Sequence, residues 1–441
     1  MLFFSHAFLT LLNGFAFTAN LGFLRKRGND MKVNGIIAEY NPFHNGHKYH
    51  LEASRLRTGA DFTIVAMSGD FMQRGTPAIL NKYDRAEMAL KGGADLVLEI
   101  PAFYACGSAE YFAHGAVSLL DKLGVTDFLC FGSECGDEKL LDQIARILAE
   151  EPEAFKKHLT SKLAQGYSFP TARSLALLDY CPALGNISNV FTSPNNILGI
   201  EYIKALIRRN SAIRPFTIKR VGSQYHEKRL GYTQPSALAL RHAIFSHGNL
   251  EALKEQMPDS AYHILQKSWE TARPIEIDDF SIPLLYKLVT NELSELDHYL
   301  DVSPDLSDKI RKSLYQYSSF SSFCDLLKSK DLTHTRISRC LLHILLNITT
   351  EDINQYKALD YTPYARVLGL KKDAAPLLSA IKANSSIPLV TKLADADKLL
   401  EGPALNMLQK DIQISHLYNA MEATKCHTPI RNEYRTPIVV L

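Results

Sequence analysis

No CxxC pair occurs anywhere in this chain. Its seven cysteines are scattered, and Cys130 and Cys135 are the closest two. That pattern is too sparse for a disulfide framework and favours a reducing, cytoplasmic setting. The paired ligand spacings of a zinc site are missing as well, so no metal site is expected. A strong charge of one sign is also lacking. The formal net charge is +2, so any nucleic-acid surface must be local rather than global. Neither GxxxxGK[ST] nor GxGxxG is found, which disfavours P-loop and dinucleotide-binding classes. No internal repeat or low-complexity tract stands out.

What is present describes an ordinary globular protein: 441 residues, 46% hydrophobic and 22% charged. That length allows two or three domains. Residues 1–30 differ from the rest. They are apolar and aromatic, and end with basic residues at Arg25–Arg27. They read either as a membrane anchor or as an extension upstream of a start at Met31, where MKVNGIIAEY opens a good first strand. The second reading is preferred, so 1–30 is left outside the fold and no membrane is expected.

From Met31 short apolar runs alternate with helical patterns. VNGIIAEY, DFTIVAM, ADLVLEIP, TDFLCFG and RPFTIKRVG read as strands. HKYHLEASRLR, KYDRAEMALKGG, SAEYFAHGAVSLLDKLG, residues 138–149, NNILGIEYIKALIRR and PSALALRHAIFSHG read as helices. Such alternation predicts a parallel sheet covered on both faces. The expectation is an α/β fold with a Rossmann-like domain over 31–248. A mostly α-helical domain over 249–441 follows, with a final extended segment RTPIVVL.

Of the chain's 15 histidines, three lie in EYNPFHNGHKYH: His44, His47 and His50. In an open parallel sheet, ligands bind at strand C-termini, and this stretch follows the first strand. Pro42 and Gly46 shape the turn, and Asn45 is expected to cap the helix. The helix start offers N–H groups and partial positive charge, which suit a phosphate. His44 and His47 fall on one side of the first turn. Their ring N–H groups can stabilise charge that builds up during attack on a nucleotide α-phosphate, with pyrophosphate leaving. A metal pair at this spacing would want a third, acidic ligand at helical spacing, and there is none. A second stretch, PSALALR, resembles the second phosphate signature of HxGH nucleotidyl transferases through Ser236 and Arg241.

These stretches together with MSGDFMQRGTPAILNKYDRAEMALKGGADLVLEIP, SAEYFAHGAVSLL, FGSE, SPNNILGIEY and RVGSQYHE resemble one family. It is the bacterial tRNA(Met) cytidine acetate ligases, relatives of the nucleotidyl transferases. The resemblance runs from Met31 to the C-terminus. It implies that acetate is activated with ATP to acetyl-adenylate. The acetyl group then passes to the N4 amine of the wobble cytidine of elongator tRNA(Met). It assigns His44 and His47 to catalysis. ATP contacts are implied for Ile37, Ala38, Glu39, Tyr40, Asn41, Pro42, Phe43, His44, Asn45, Gly46, His47, Lys48, Tyr49 and His50. Further contacts are implied for Gly132, for Asn195 or Asn196, and for Arg220 and Val221. Magnesium could accompany the ATP. The SGDFMQRG loop also faces the site, and its backbone or Arg74 is expected to hold acetate. The chain departs from the family pattern at Asp70, Glu227 and Leu238. A carboxylate at 70 would repel a triphosphate unless it faces away or binds magnesium.

In the second half, HTRISRCLLHILLN is amphipathic. Ile337, Leu341, Ile344, Leu345 and Ile348 share one face, and Arg336, Arg339 and His343 share another. A basic strip of this kind fits an RNA backbone. Tyr364 and Arg366 of YARVLGL are expected to add a stacking and phosphate pair. Two rival readings share the nucleotide site: a nucleotidyl transferase acting on a small phosphorylated substrate without RNA, and a non-catalytic nucleotide-dependent RNA-binding protein. The sequence gives no oligomeric state.

Overall fold

Strand runs such as Leu96–Ile100, in which every residue is buried, need cover on both faces of a sheet. A computed structural model describes residues 31–441, apart from 186, 188, 221–236, 248–249, 292 and 330–331. Its strands are β1 (Val33–Ala38), β2 (Phe62–Ser68), β3 (Phe71–Met72), β4 (Thr76–Pro77), β5 (Leu96–Ile100), β6 (Phe128–Ser133), β7 (Arg214–Lys219), β8 (Ala365–Leu370), β9 (Leu389–Val390) and β10 (Val439–Val440). The main sheet runs β10-β8-β5-β2-β1-β6-β7, with β9 paired to β8. From β5 to β7 all pairings are parallel. β3 and β4 form a small antiparallel hairpin after β2.

The helices of the first half are α1 (Asn45–Thr58), α2 (Lys82–Lys91), α3 (Ala102–Ala105), α4 (Ala109–Lys122), α5 (Glu138–Glu150), α6 (Glu153–Ala164), α7 (Phe169–Tyr180), α8 (Pro194–Arg208) and α9 (Ala237–His247). Local chemistry sets several of their starts. Asn81 accepts from the N–H groups of Tyr83 and Asp84 to open α2, and Ser108 accepts from Tyr111 to open α4. α4 packs close because Gly115 leaves room for the Tyr104 ring, where a Cβ would sit 2.3 Å from Cγ.

Beyond residue 248 the chain is mostly helical, as expected. It also returns to the sheet. β8 runs antiparallel to β5, with Glu99 opposite Arg366 and Leu96 opposite Leu370, and β10 then pairs parallel to β8. Residues 31–441 therefore form one compact unit, and the sheet is built from both sides of the expected boundary near 248. YARVLGL accordingly becomes β8 instead of an exposed RNA-reading stretch. Among the described residues no helix is long and apolar enough to cross a membrane.

Candidate functional site

β1 delivers its C-terminal end to a loop, Glu39–Phe43, that feeds α1. Tyr40 has a positive φ of 49° and is buried; its ring packs on Phe43 and His47, with centroids 4.9 and 4.8 Å away. The Asn41–Pro42 peptide is cis. The Asn41 side chain accepts from Ile79 N–H at 2.9 Å, and its carbonyl accepts from Arg241 Nη1 at 2.7 Å. Glu39 Oε1 accepts from Gln73 N–H at 2.8 Å, which ties the β3–β4 hairpin to the loop. Ile37 and Ala38 are partly exposed at the end of β1.

The residue that caps α1 is His44, not Asn45 as expected. His44 Nδ1 accepts from Gly46 N–H at 3.1 Å, and His47 Nδ1 accepts from His44 N–H at 3.3 Å. The two rings stack with centroids 3.7 Å apart. Gly46 is required for this arrangement, since a Cβ there would lie 2.9 Å from His44 Cε1. Asn45 points elsewhere and donates to Glu255 O at 2.9 Å. Because each Nδ1 accepts, the proton of each neutral ring sits on Nε2, where a phosphate oxygen can receive it.

The rings are held neutral. Burial, then Arg220 and Arg241, push His44 down from 6.5 to about 3. Burial, then the neighbouring His44, Arg220 and His50, push His47 well below its ordinary value. Burial and Arg220 bring His50 down to about 4, and its Nε2 lies 3.8 Å from Cys130 Sγ. The first turn of α1 carries no acidic residue to compete with an anion. Arg220, Arg241 and three neutral imidazoles thus surround the helix start. Lys48 and Tyr49, in contrast, are exposed, and Lys48 lies 3.8 Å from Glu52 along α1.

Gly132 lies near the end of β6, and the Arg220 side chain passes beside it, with Cγ 3.3 Å from where a Cβ would stand. Arg220 N–H donates to Ser133 O at 2.9 Å. The turn after β6 is locked to α8. Glu134 Oε1 accepts from Asn195 Nδ2 at 2.7 Å, and Oε2 accepts from Asn196 N–H at 2.9 Å. Asn196 is buried, and its Oδ1 accepts from the N–H groups of Glu134 and Cys135 at 3.0 and 3.1 Å. Asn195 is only partly buried. Val221, Glu227 and Ser236 lie outside the described residues.

Of the two alternatives for Asp70 the first holds: it faces away from the cradle, buried against Lys82 Nζ at 3.3 Å. Several other expectations need correction. Arg366 is not an RNA contact. It is 2% exposed and pairs with Glu99 at 2.9 Å and Glu433 at 2.6 Å. Tyr364 is buried too, donating to Asp411 at 3.1 Å. On the helix His334–Leu346 the apolar face is buried as expected, but His343 is also fully buried between the carbonyls of Leu300 and Cys106. Arg339 is half-buried, and burial lowers its pKa; Arg336 alone of the three is exposed.

Sequence reasoning missed Arg85. Its guanidinium is fully buried and donates to four carbonyls: Leu80 at 3.1 Å, Glu39 at 2.8 Å, Ser68 at 3.0 Å, and Gly69. It therefore pins the ends of β1 and β2 together under the cradle. The helix KYDRAEMAL carries four charged residues in nine, so nothing in the sequence marked this arginine as buried. Among the described residues no group of three His, Cys, Asp or Glu side chains could hold a metal ion.

A family model described as HIGH Nucleotidyl Transferase matches residues 31–433. A protein of Acetivibrio thermocellus named tRNA(Met) cytidine acetate ligase is 40% identical over 416 residues, covering 93% of this chain and all of its own. One of the same name from a Thermoanaerobacter species is 43% identical, covering 88% of this chain and 95% of its own. Crystal structures of Thermotoga maritima TmcAL share the fold. The apo form has a TM-score of 0.88 at 32% identity, and the form bound with alpha-thio ATP has 0.86 at 33%. Each covers 93% of this chain and all of its own. With an imidazole-capped helix at the end of its first strand and relatives matched along nine-tenths of its length, the chain belongs to the HIGH nucleotidyl transferases, in the family of the tRNA(Met) cytidine acetate ligases.

Proposed function

We propose that the chain is an ATP-dependent ligase that acetylates the wobble cytidine of elongator tRNA(Met). A carboxylate oxygen of acetate attacks the α-phosphorus of ATP; the bond to the bridging oxygen breaks and pyrophosphate leaves. The N4 amine of the cytidine then attacks the acetyl carbon, AMP leaves, and the nitrogen loses a proton. His44 and His47 are the catalytic residues. Their Nε2–H groups donate to oxygens whose charge grows during the first step. Neutral rings serve this better than cations, because they do not over-bind the ground-state triphosphate.

One observation carries the reading: both Nδ1 atoms accept from backbone N–H groups of the helix start, which fixes both protons on Nε2. ATP contacts come from the loop and helix start, Ile37 to His50, and from Gly132, Arg220, Val221, Ser236 and Arg241. Of the two asparagines, Asn195 is assigned to ATP, since its side chain is the more exposed while the Asn196 amide is buried under the turn after β6. Glu39, Asp70 and Glu134 are each engaged by protein groups, so magnesium enters only as an ion carried on the triphosphate. Arg336 remains as an exposed phosphate contact for RNA. The substrates place the reaction in the cytoplasm.

Incubation with labelled acetate, ATP and tRNA tests the reading. Label should appear on RNA, and ATP–pyrophosphate exchange should require acetate. Exchange that needs a phosphorylated small molecule instead of acetate would overturn it.

A further inference from the structure

The helical hairpin of α6 and α7 carries an exposed apolar and aromatic tip. Leu163, Tyr167 and Phe169 are 40, 45 and 55% exposed. From Phe155 to Leu178 the chain has four cations, Lys156, Lys157, Lys162 and Arg173, and no Asp or Glu. The nearest acidic partners lie outside that run, Glu153 for Lys156 at 3.3 Å and Asp179 for Lys162 at 2.8 Å.

The tip is tied to the nucleotide side of the sheet. The Arg173 guanidinium lies 4.9 Å from the Phe191 ring centroid and 5.8 Å from that of Phe169. Phe191 stands two residues before Ser193, the N-cap of α8, and α8 begins on Glu134 at the end of β6. A ring braced by a guanidinium and open to solvent, on a hairpin whose first helix carries lysines along its length, fits an unpaired nucleobase with its neighbouring phosphates. The reaction itself needs an unpaired cytidine brought to the adenylate, and single-stranded RNA loops are read by such stacking.

We infer that the α6–α7 tip is a docking face for the single-stranded RNA loop that presents the cytidine, with Tyr167 and Phe169 stacking bases and Lys156 and Lys157 meeting phosphates. This rests on the functional reading above and names its RNA surface.

The full chain with Tyr167→Ala and Phe169→Ala tests it. Acetate-dependent ATP–pyrophosphate exchange should stay at the wild-type level. Affinity for an anticodon stem-loop RNA, and kcat/KM for RNA acetylation, should each fall at least ~10-fold, the loss expected for removing base-stacking rings. Tyr167→Phe with Phe169→Trp should restore both. Lys156→Gln with Lys157→Gln should flatten the salt dependence of RNA binding. Wild-type RNA affinity and transfer in the alanine variant would overturn the inference alone. So would an equal fall in exchange, which would place the rings in the nucleotide machinery. A loss of self-association with RNA affinity kept would assign the tip to a second copy, and overturn it too. If the wild-type chain runs exchange but never labels RNA, the functional reading fails first and the docking face fails with it.

Discussion

At the start of α1 the proposed chemistry rests on single residues. Replacing both His44 and His47 by alanine should lower acetate-dependent adenylate formation by at least ~100-fold, as loss of oxyanion-type donors does. The read-out is ATP–pyrophosphate exchange. Gly46→Ala should leave the chain folded yet slow exchange by roughly 10-fold or more, because the new Cβ must push the His44 ring aside and misplaced groups react poorly. The histidines also fix an acid sensitivity. His44 sits near 3 when folded and at 6.5 when unfolded, so between those values the unfolded chain binds more protons. Its contribution is intact above pH 6.5 and is lost as pH falls toward 3. Urea denaturation at pH 7 and pH 5 should therefore show less acid destabilisation in a His44→Asn variant, which keeps a capping side chain without the titration. The cluster was legible from sequence because it is local: a strand end, a turn and one helical turn. The cap was misassigned to Asn45 because helix-capping preferences do not anticipate a histidine ring folding back over a glycine.

At the level of elements, the question is what holds the loops that frame the cradle. Arg85 on α2 donates to carbonyls from the ends of β1 and β2. Arg85→Met should cost about 3 kcal/mol or more in urea denaturation, since it strands several buried acceptors. Exchange activity should fall as well, because Glu39 and Ser68 lose their shared brace. The turn after β6 separates two neighbours of identical chemistry. Asn196→Ala should destabilise the fold by about 1–3 kcal/mol, having lost a buried acceptor for two N–H groups. Asn195→Ala should raise KM for ATP with little change in stability. The sequence could not tell the two apart, because both residues fall in the first turn of α8 and only tertiary contact distinguishes their burial. The same limit explains His343 and Arg366. A helical wheel identifies the apolar side of His334–Leu346. It does not reveal that the loops at Leu300 and Cys106 cover His343 on the other side. Arg366 was expected to meet an RNA phosphate, yet it belongs to a strand whose partners are supplied from residues 99 and 433.

Across the whole molecule, a buried charge cluster joins distant parts of the chain. Lys82 Nζ meets Glu99 and Glu433 at 3.0 Å each, and Ser415 at 2.6 Å, while Arg366 bridges Glu99 and Glu433. Burial alone would raise the Glu433 carboxyl, but Lys82 and Arg366 outweigh it and hold the group well below its ordinary 4.5. Its stabilisation is thus present above pH 4.5 and lost as pH falls below that value. Glu433→Gln should destabilise the chain by about 3–5 kcal/mol at pH 7, the range for breaking one partner of a buried pair. The difference from wild type in urea midpoints should narrow in acid. The parallel sheet itself was legible in the alternation of apolar runs and helices; the order of its strands and this long-range closure were not, because charged residues in a sequence carry no record of their partners. The closure has a further consequence through β5. All five of its residues are buried, and β8, arriving more than 260 residues later, covers the side away from β2. A fragment ending near 248 would bare that row of backbone N–H and C=O groups as a sticky rim and invite its own copies to stack there. The nucleotide half is consequently not a cassette. Any chimera that borrows it must also bring a strand to seal that rim.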